Sequence, residues 1–454
     1  MHCSFIIARS AALLALLLPM RSMAQGQQGS GSPYSGYGLG EFVGSTPIAQ
    51  AMMGGLGAAA VGPVSTVFAN PASYAALHRT TFETGLGVRT SQLTNGTTER
   101  LGRRTEIMGL TLGLPFGKGR WGVALGVRPV SRVNYSLTET ESIPGSTGVS
   151  TFTYTGDGGL NQGIIGVGLV VSQQRDSLAN GHRLSVGANV GYLFGRIETG
   201  RSAVFPSGQG FYASRITSTL LLRDPTADLG LQYQGDLRKR RTKDDEGLFF
   251  LAGVAAELPV SIGAERTEVA NTYGFSSSGL EVPLDTSYSV ADLTGSIDLP
   301  LGLRAGFTVF NERWTVGAEY GQRDWTTLSV SDARFQPVGQ LANSTSMRVG
   351  ASYRPTNEVL GSIWKRTVYR AGLQVTNDYL KVGGTQLQDR SFTAGLSVPM
   401  MATTTRSRLN IGGAFGERGT VENGLIRERY FTLLLGITIT PDVREGWFRK
   451  RRID

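Results

Sequence analysis

The chain has 454 residues, a formal net charge of +9 and 62 glycines, about twice the usual glycine share of roughly 7%. Glycine is interleaved with apolar and charged residues, which excludes a disordered low-complexity chain. The single cysteine, Cys3, lies in the segment that we expect to be removed, so the rest of the chain can form neither a disulfide nor a cysteine metal site.

Residues 1–24 predict a cleaved secretory signal. Arg9 precedes an apolar run at residues 11–18, and the small residues Ser22 and Ala24 suit a cleavage site. A membrane anchor is the alternative, but the run is well short of the roughly 20 residues that a spanning helix needs. Export makes nucleic acid an unsuitable partner for the basic runs and favours anionic lipid headgroups of the outer membrane.

Residues 25–80 predict an N-terminal extension followed by a hatch, a segment that fills a barrel from inside. Residues 46–78 are rich in glycine and alanine, are interrupted by proline, and show neither strand alternation nor a helical period. Asn70 and Pro71 suit a turn or a helix start.

Residues 81–442 predict an all-β fold, a closed transmembrane antiparallel β-barrel of about 14 strands. Segments that are apolar on one face and small or polar on the other recur near residues 81–90, 104–115, 120–133, 162–173, 182–197, 214–236, 247–263, 298–310, 312–323, 345–355, 364–376, 386–398, 405–416 and 427–440. A soluble sandwich is the alternative. Short turns at one end and long loops at 134–161, 264–297 and 324–344 at the other favour the barrel. Such a lumen is too wide for its own side chains to fill, so we expect the hatch inside it.

Two features resemble the long-chain fatty-acid transporter (FadL) family, in the form found in Bacteroidota. Asn70, Pro71 and Ala72 match that family's hatch motif, and LPLGLRAGFTVFNERWTVGAEYGQRDW at 299–325 is similar to its block of strand, turn, strand and tryptophan. The resemblance implies an integral outer-membrane channel that passes hydrophobic or amphipathic small molecules and releases them sideways through a kinked third strand. It leaves open a role as an accessory or shuttle barrel with partners in a type IX secretion system.

Pro129 lies inside the third predicted strand, where proline indicates an edge or a bulge. We consider it a candidate for the lateral opening, with a harmless proline near the rim as the alternative.

Strand parity points several charged residues into the lumen, and the ligand candidates among them are Arg128, Arg304, Arg348, Arg370 and Glu319. One interpretation is that these charges pair with one another. The other is that an unpaired arginine, first Arg128 or Arg304, holds the carboxylate of an amphipathic ligand.

The sequence predicts no enzyme and no cofactor. After the signal only His78 and His182 remain, no Gly-x-Ser-x-Gly motif occurs, and no cluster suits a metal. A lipid hydrolase is therefore a distant alternative. Residues 443–454 predict a charged periplasmic tail.

Overall fold

A computed structural model describes residues 31–44, 47–60, 62, 64–117, 119–142, 148–174, 181–206, 210–239, 245–356, 358, 361–400 and 406–441. The predicted signal and the predicted tail lie outside these residues. No helix among the described residues has the length and apolar character needed to cross a membrane.

One antiparallel sheet contains nineteen strands. In chain order they are β1 (Glu41–Phe42), β2 (Thr81–Thr94), β3 (Glu99–Phe116), β4 (Trp121–Ser142), β5 (Val149–Gln173), β6 (Arg183–Val204), β7 (Ala213–Arg238), β8 (Leu248–Glu257), β9 (Val260–Phe275), β10 (Glu281–Leu299), β11 (Gly302–Phe310), β12 (Trp314–Asp324), β13 (Ser329–Val330), β14 (Gln340–Leu341), β15 (Asn343–Tyr353), β16 (Val368–Val382), β17 (Thr385–Pro399), β18 (Arg408–Arg418) and β19 (Arg427–Ile439). The short helices are α1 (Ile48–Ala51), α2 (Ile363–Arg366) and five 3₁₀ turns at Pro33–Gly36, Pro71–Ala76, Trp325–Thr327, Ala333–Phe335 and Glu422–Gly424.

Fourteen of the strands close into a barrel: β2–β8, β11, β12 and β15–β19. The barrel is closed because β19 pairs with β2, from Arg427 opposite Thr94 to Ile439 opposite Phe82. Each of the fourteen predicted segments overlaps one of these strands. The predicted fold class is confirmed.

The barrel has a turn end, with the tight connections 117–120 and 311–313, and an opposite loop end. Strands β4 to β7 have 22 to 26 residues and extend past their neighbours at the loop end, together with the β9–β10 hairpin. Two expected loops, 134–161 and 264–297, are therefore largely strand. The prediction was wrong here because these extensions lack the one-sided apolar pattern, most clearly in β10, where both faces are exposed.

Apolar side chains cover the outside of the barrel. Large exposed residues on this face include Leu86, Ile165, Val190, Leu231, Phe307, Val349, Leu373, Ile411 and Leu435. Trp314 stacks on Tyr353 with ring centroids 4.1 Å apart, and Trp121 stacks on Phe116 at 4.6 Å, both near the turn end. Such an apolar band with interfacial aromatic residues is the surface of a membrane-spanning barrel.

Aromatic residues also fill the loop-end half of the lumen. Trp325 and Tyr379 are each only 3% exposed. Trp325 packs with Phe42 and Tyr379, with centroid distances of 4.8 to 5.0 Å, in an outer core that also contains Tyr34 and Phe335. The sequence could not assign them because nothing in a strand pattern indicates a non-local contact with residues 34–42.

The N-terminal segment enters the barrel from the loop end. Gly31 donates to Asn134 on the long part of β4, and the chain then descends past the strands to residue 80, where β2 starts at the turn end. The described residues between 47 and 80, which we call the hatch, lie across the middle of the lumen.

Candidate functional site: the hatch and the interrupted wall

A ring of glycines receives the hatch. Every barrel strand contributes a lumen-facing glycine at which an added Cβ would lie within 3.2 Å of a hatch atom. One such glycine per strand is Gly85, Gly113, Gly122, Gly168, Gly187, Gly230, Gly253, Gly306, Gly317, Gly350, Gly372, Gly395, Gly412 and Gly436. Because side chains there would collide with the hatch, the wall is shaped to fit it. The strand pattern predicts a small inward face, but it does not indicate that one glycine from each strand forms a single ring.

Barrel side chains also hold the hatch backbone. The Glu319 carboxylate accepts hydrogen bonds from the amides of Gly57 and Ala58 at 2.6 and 2.7 Å. Glu83 accepts from the amide of Thr66 at 2.8 Å, and Thr308 donates to the carbonyl of Ala59 at 2.7 Å. These bonds satisfy irregular backbone at membrane depth, which could not otherwise be buried there.

The Asn-Pro-Ala motif anchors the hatch. Asn70 is fully buried, and its side chain caps the Pro71–Ala76 turn by accepting from the amide of Ala72 at 3.0 Å. Its amide group donates to the carbonyl of Ala58 at 2.7 Å and to Leu231 and Val254 on the wall at 3.2 and 3.3 Å. Pro71 rests against Gly168 and Gly187. One side chain thus joins two parts of the hatch to two strands.

The predicted ligand arginines contact groups of the protein itself. Arg304 pairs with Glu257 at 3.0 Å, Arg348 pairs with Glu319 at 2.7 Å, and Arg128 donates to Gln162 at 2.8 Å. Arg304 is therefore not an unpaired arginine. Arg370 differs, because its described hydrogen bond goes to the neutral hydroxyl of Ser397.

The wall is interrupted between β3 and β4. Their ladder extends from Phe116 opposite Trp121 only to Leu110 opposite Val127. Beyond that point β3 continues to pair with β2, and β4 with β5. Pro129 lies just above the last paired residue, and the β4–β5 register shifts between Pro129 and Ser131. The candidate proline is thus at the lower edge of a lateral gap.

The N-terminal segment lies along the open edge of β4. In β1, Glu41 and Phe42 pair with Arg132 and Ser131, and Val43 donates to the carbonyl of Val130 at 3.0 Å. The gap is therefore covered by a two-residue strand and not by a continuous ladder.

Glu41 links this strand to the opposite side of the gap. Its carboxylate lies 2.9 Å from Nη2 of Arg104 on β3 and 3.0 Å from Nη1 of Arg89 on β2. Arg418 approaches it at 3.5 Å. No local pattern in the sequence indicates this cluster, because its members lie on four separate strands.

Among the described residues, three cavities accompany these features. One of about 20 Å³ lies beside the gap between Met108, Arg128 and Phe68, and one of about 90 Å³ lies at the loop end. The third, of about 470 Å³, lies under the hatch at the turn end. In that described part of the chain no group of three His, Cys, Asp or Glu side chains could hold a metal. His78 faces the carbonyl of Ala76, and His182 faces the Tyr233 hydroxyl.

The fold and the site define the class: an integral outer-membrane β-barrel with a built-in hatch. A family model described as BamG matches residues 7–454, and the chain belongs to the BamG family.

The chain is similar to several solved structures. A FadL homologue from Pseudomonas aeruginosa has a TM-score of 0.50 at 14% identity, covering 88% of this chain and 99% of that one. The expected FadL-like fold is confirmed; the assignment to Bacteroidota stays a prediction. The P. putida toluene transporter TodX and the monoaromatic hydrocarbon channel CymD each give a TM-score of 0.49 at 14% identity, covering 90% and 89% of this chain and 99% of their own. No curated protein sequence matches the chain.

Proposed function

We propose that the protein is a FadL-like, non-catalytic outer-membrane transporter that releases hydrophobic or amphipathic small molecules sideways into the bilayer through the β3–β4 gap. The observation that carries the proposal is the ladder that stops at Leu110 and Val127 below Pro129. A continuous barrel wall would leave no unpaired edges at membrane depth. Here the described residue pairs along this edge of β4 are those with β1.

A sideways route does not require a path past the hatch in the middle of the lumen. The glycine ring packs closely against the hatch, and a molecule that enters from the loop end and leaves through the gap stays above the ring. In the structure the outer core and β1 occupy this space. Transport therefore requires β1 to leave the edge of β4, which makes β1 the gate.

A disulfide across the gate tests this proposal. Phe42 and Ser131 lie opposite each other in the β1–β4 pairing. Because the neighbouring pair, Val43 and Val130, is hydrogen-bonded, Phe42 and Ser131 form a non-hydrogen-bonded pair. The Cα atoms of such pairs are closer together, which suits a disulfide. In a Phe42→Cys/Ser131→Cys variant, hydrophobic uptake should fall at least tenfold on oxidation and recover on reduction. The reduced form controls for the lost packing of Phe42. Leu112→Cys/Leu125→Cys, a register pair in the intact ladder, is the matched control. Equal uptake with the gate locked would refute the lateral route.

A second candidate function is an accessory subunit of an outer-membrane assembly, the class to which a type IX secretion accessory would belong. The family designation BamG points to the Bam complex. The structural observation that favours it is the free edge of β10. Among the described residues, β10 pairs with β13 at Ile297 and Asp298, and the edge formed by residues 281–295 is largely open at the loop end. Val282, Leu284 and Tyr288 on this strand are 44 to 50% exposed. An exposed apolar edge strand is a template for pairing with a partner.

Purification in mild detergent separates the two candidates. An assembly subunit should copurify with a stoichiometric outer-membrane partner, and Val282→Asp/Leu284→Asp should release it without changing uptake. A transporter working alone should be isolated without one, and the gate disulfide should control its uptake.

A further inference from the structure

The cavity under the hatch is lined by positive charge. Arg79, Arg183 and Arg406 border its 470 Å³, and no Asp or Glu is among its described lining residues. The volume is within the range of pockets that hold small ligands. We call it the basic vestibule. Higher in the lumen, Arg89, Arg304 and Arg348 pair with the carboxylates of Glu41, Glu257 and Glu319.

A second group of arginines lies behind Arg406. Arg408 donates to the carbonyls of Ser397 and Arg366 at 2.9 and 3.3 Å, Arg354 donates to the carbonyl of Glu312 at 3.2 Å, and Arg370 donates to the Ser397 hydroxyl. All of these acceptors are uncharged oxygens. In the described part of the chain no carboxylate lies within ion-pair distance of these three or of Arg406.

Two of these guanidinium groups converge on one residue, because Arg370 donates to the hydroxyl of Ser397 and Arg408 donates to its carbonyl. Like charges at such short range repel one another. The acidic groups that act on them are Glu83, which is engaged with the hatch amide of Thr66, and Glu312. A concentration of like charge in a partly enclosed site attracts anions and is stabilised by binding them.

From this arrangement we infer that the basic vestibule binds an acidic polypeptide segment that enters from the periplasm. The vestibule lies inside the barrel wall and not against the bilayer, so a lipid would have to leave the membrane to bind there. Gln232, Gln234 and Ser185 line it and offer amide and hydroxyl groups that suit a peptide backbone. The arginines supply bidentate partners for carboxylates. This inference does not depend on transport.

Peptide binding to the full-length protein in detergent tests the inference. A fluorescent peptide of eight residues alternating Glu and Ser should bind at least tenfold more tightly than its Gln counterpart, and its affinity should fall with added salt. Arg183→Gln/Arg406→Gln should weaken binding at least tenfold. Arg313→Gln is the matched control, because this turn arginine belongs to the same end of the barrel but is already paired with Glu246 at 2.7 Å.

Thermal unfolding supplies a readout that does not use the fluorophore. The acidic peptide should raise the unfolding temperature of the natural protein and of the Arg313→Gln variant but not that of the double variant. Equal binding of the two peptides, or unchanged affinity in the double variant, would overturn the inference. It would also be overturned if phosphatidylglycerol micelles displaced the labelled peptide and unlabelled peptide did not.

Discussion

Glu41 and Arg104 form an ion pair across the β3–β4 gap, with Oε1 of the first 2.9 Å from Nη2 of the second. Their side chains are 10% and 12% exposed, so both charges are largely removed from water. Glu41 belongs to β1, which is bound to the wall by few backbone hydrogen bonds. The pair therefore contributes strongly to the position of β1.

Removing one charge of this pair should loosen the gate. In Glu41→Ala, the guanidinium groups of Arg89 and Arg104 lose their shared carboxylate, and breaking a buried pair from one side costs about 3–5 kcal/mol. Protease cleavage within residues 31–44 should become faster while the barrel stays heat-resistant. Glu281→Ala removes an exposed partner of Arg215 and should change neither property. Unchanged cleavage in Glu41→Ala would show that the pair does not hold β1.

The glycine ring predicts a contrast between two glycines. Gly253→Ala places a Cβ against the backbone of Ala58, which cannot rotate away, and overpacking of this kind costs about 1–3 kcal/mol. Gly163→Ala on β5 meets nothing within 4 Å and is the control. The unfolding temperature should fall for the first variant only. If both variants have the same unfolding temperature, the barrel wall can adapt to an added side chain and the glycine ring is not required to accommodate the hatch.

The strand pattern predicted the closed barrel and the position of every barrel strand, because a bilayer imposes one apolar face on each. Asn70 and Pro71 likewise indicated the helix start that they form. What the sequence could not give are relationships across the lumen, such as Glu41 with Arg104 or Glu319 with Gly57. A lumen charge gives the same local pattern whether it meets a ligand, another strand or the hatch.

Glu319 and Arg348 should behave as a coupled pair. Glu319→Ala leaves the hatch amides of Gly57 and Ala58 without their acceptor and Arg348 without its counterion. We expect a larger loss of unfolding free energy for Glu319→Ala than for Arg348→Met, because only the first change affects the hatch amides. Adding Arg348→Met to Glu319→Ala should recover part of the loss, since no buried charge is then left alone. Strict additivity in a double-mutant cycle would contradict the coupling.

The orientation of the barrel can be tested at its two ends. The β9–β10 connection contains Ser277, which is exposed at the loop end, and Glu312 occupies the tight turn between β11 and β12 at the turn end. Outer-membrane barrels place short turns in the periplasm and long connections outside the cell. The only native cysteine, Cys3, lies in the predicted signal, so single introduced cysteines give clean labelling sites.

A membrane-impermeant maleimide should label Ser277→Cys on intact cells and label Glu312→Cys only after the outer membrane is permeabilised. This result would also place Gly31, and with it the start of the described chain, on the outer side, because Gly31 contacts the loop-end part of β4. The basic vestibule would then face the periplasm, as binding of a periplasmic peptide requires. Labelling of Glu312→Cys on intact cells would invert the barrel, and both the gate and the vestibule would have to be reassigned to the opposite compartments.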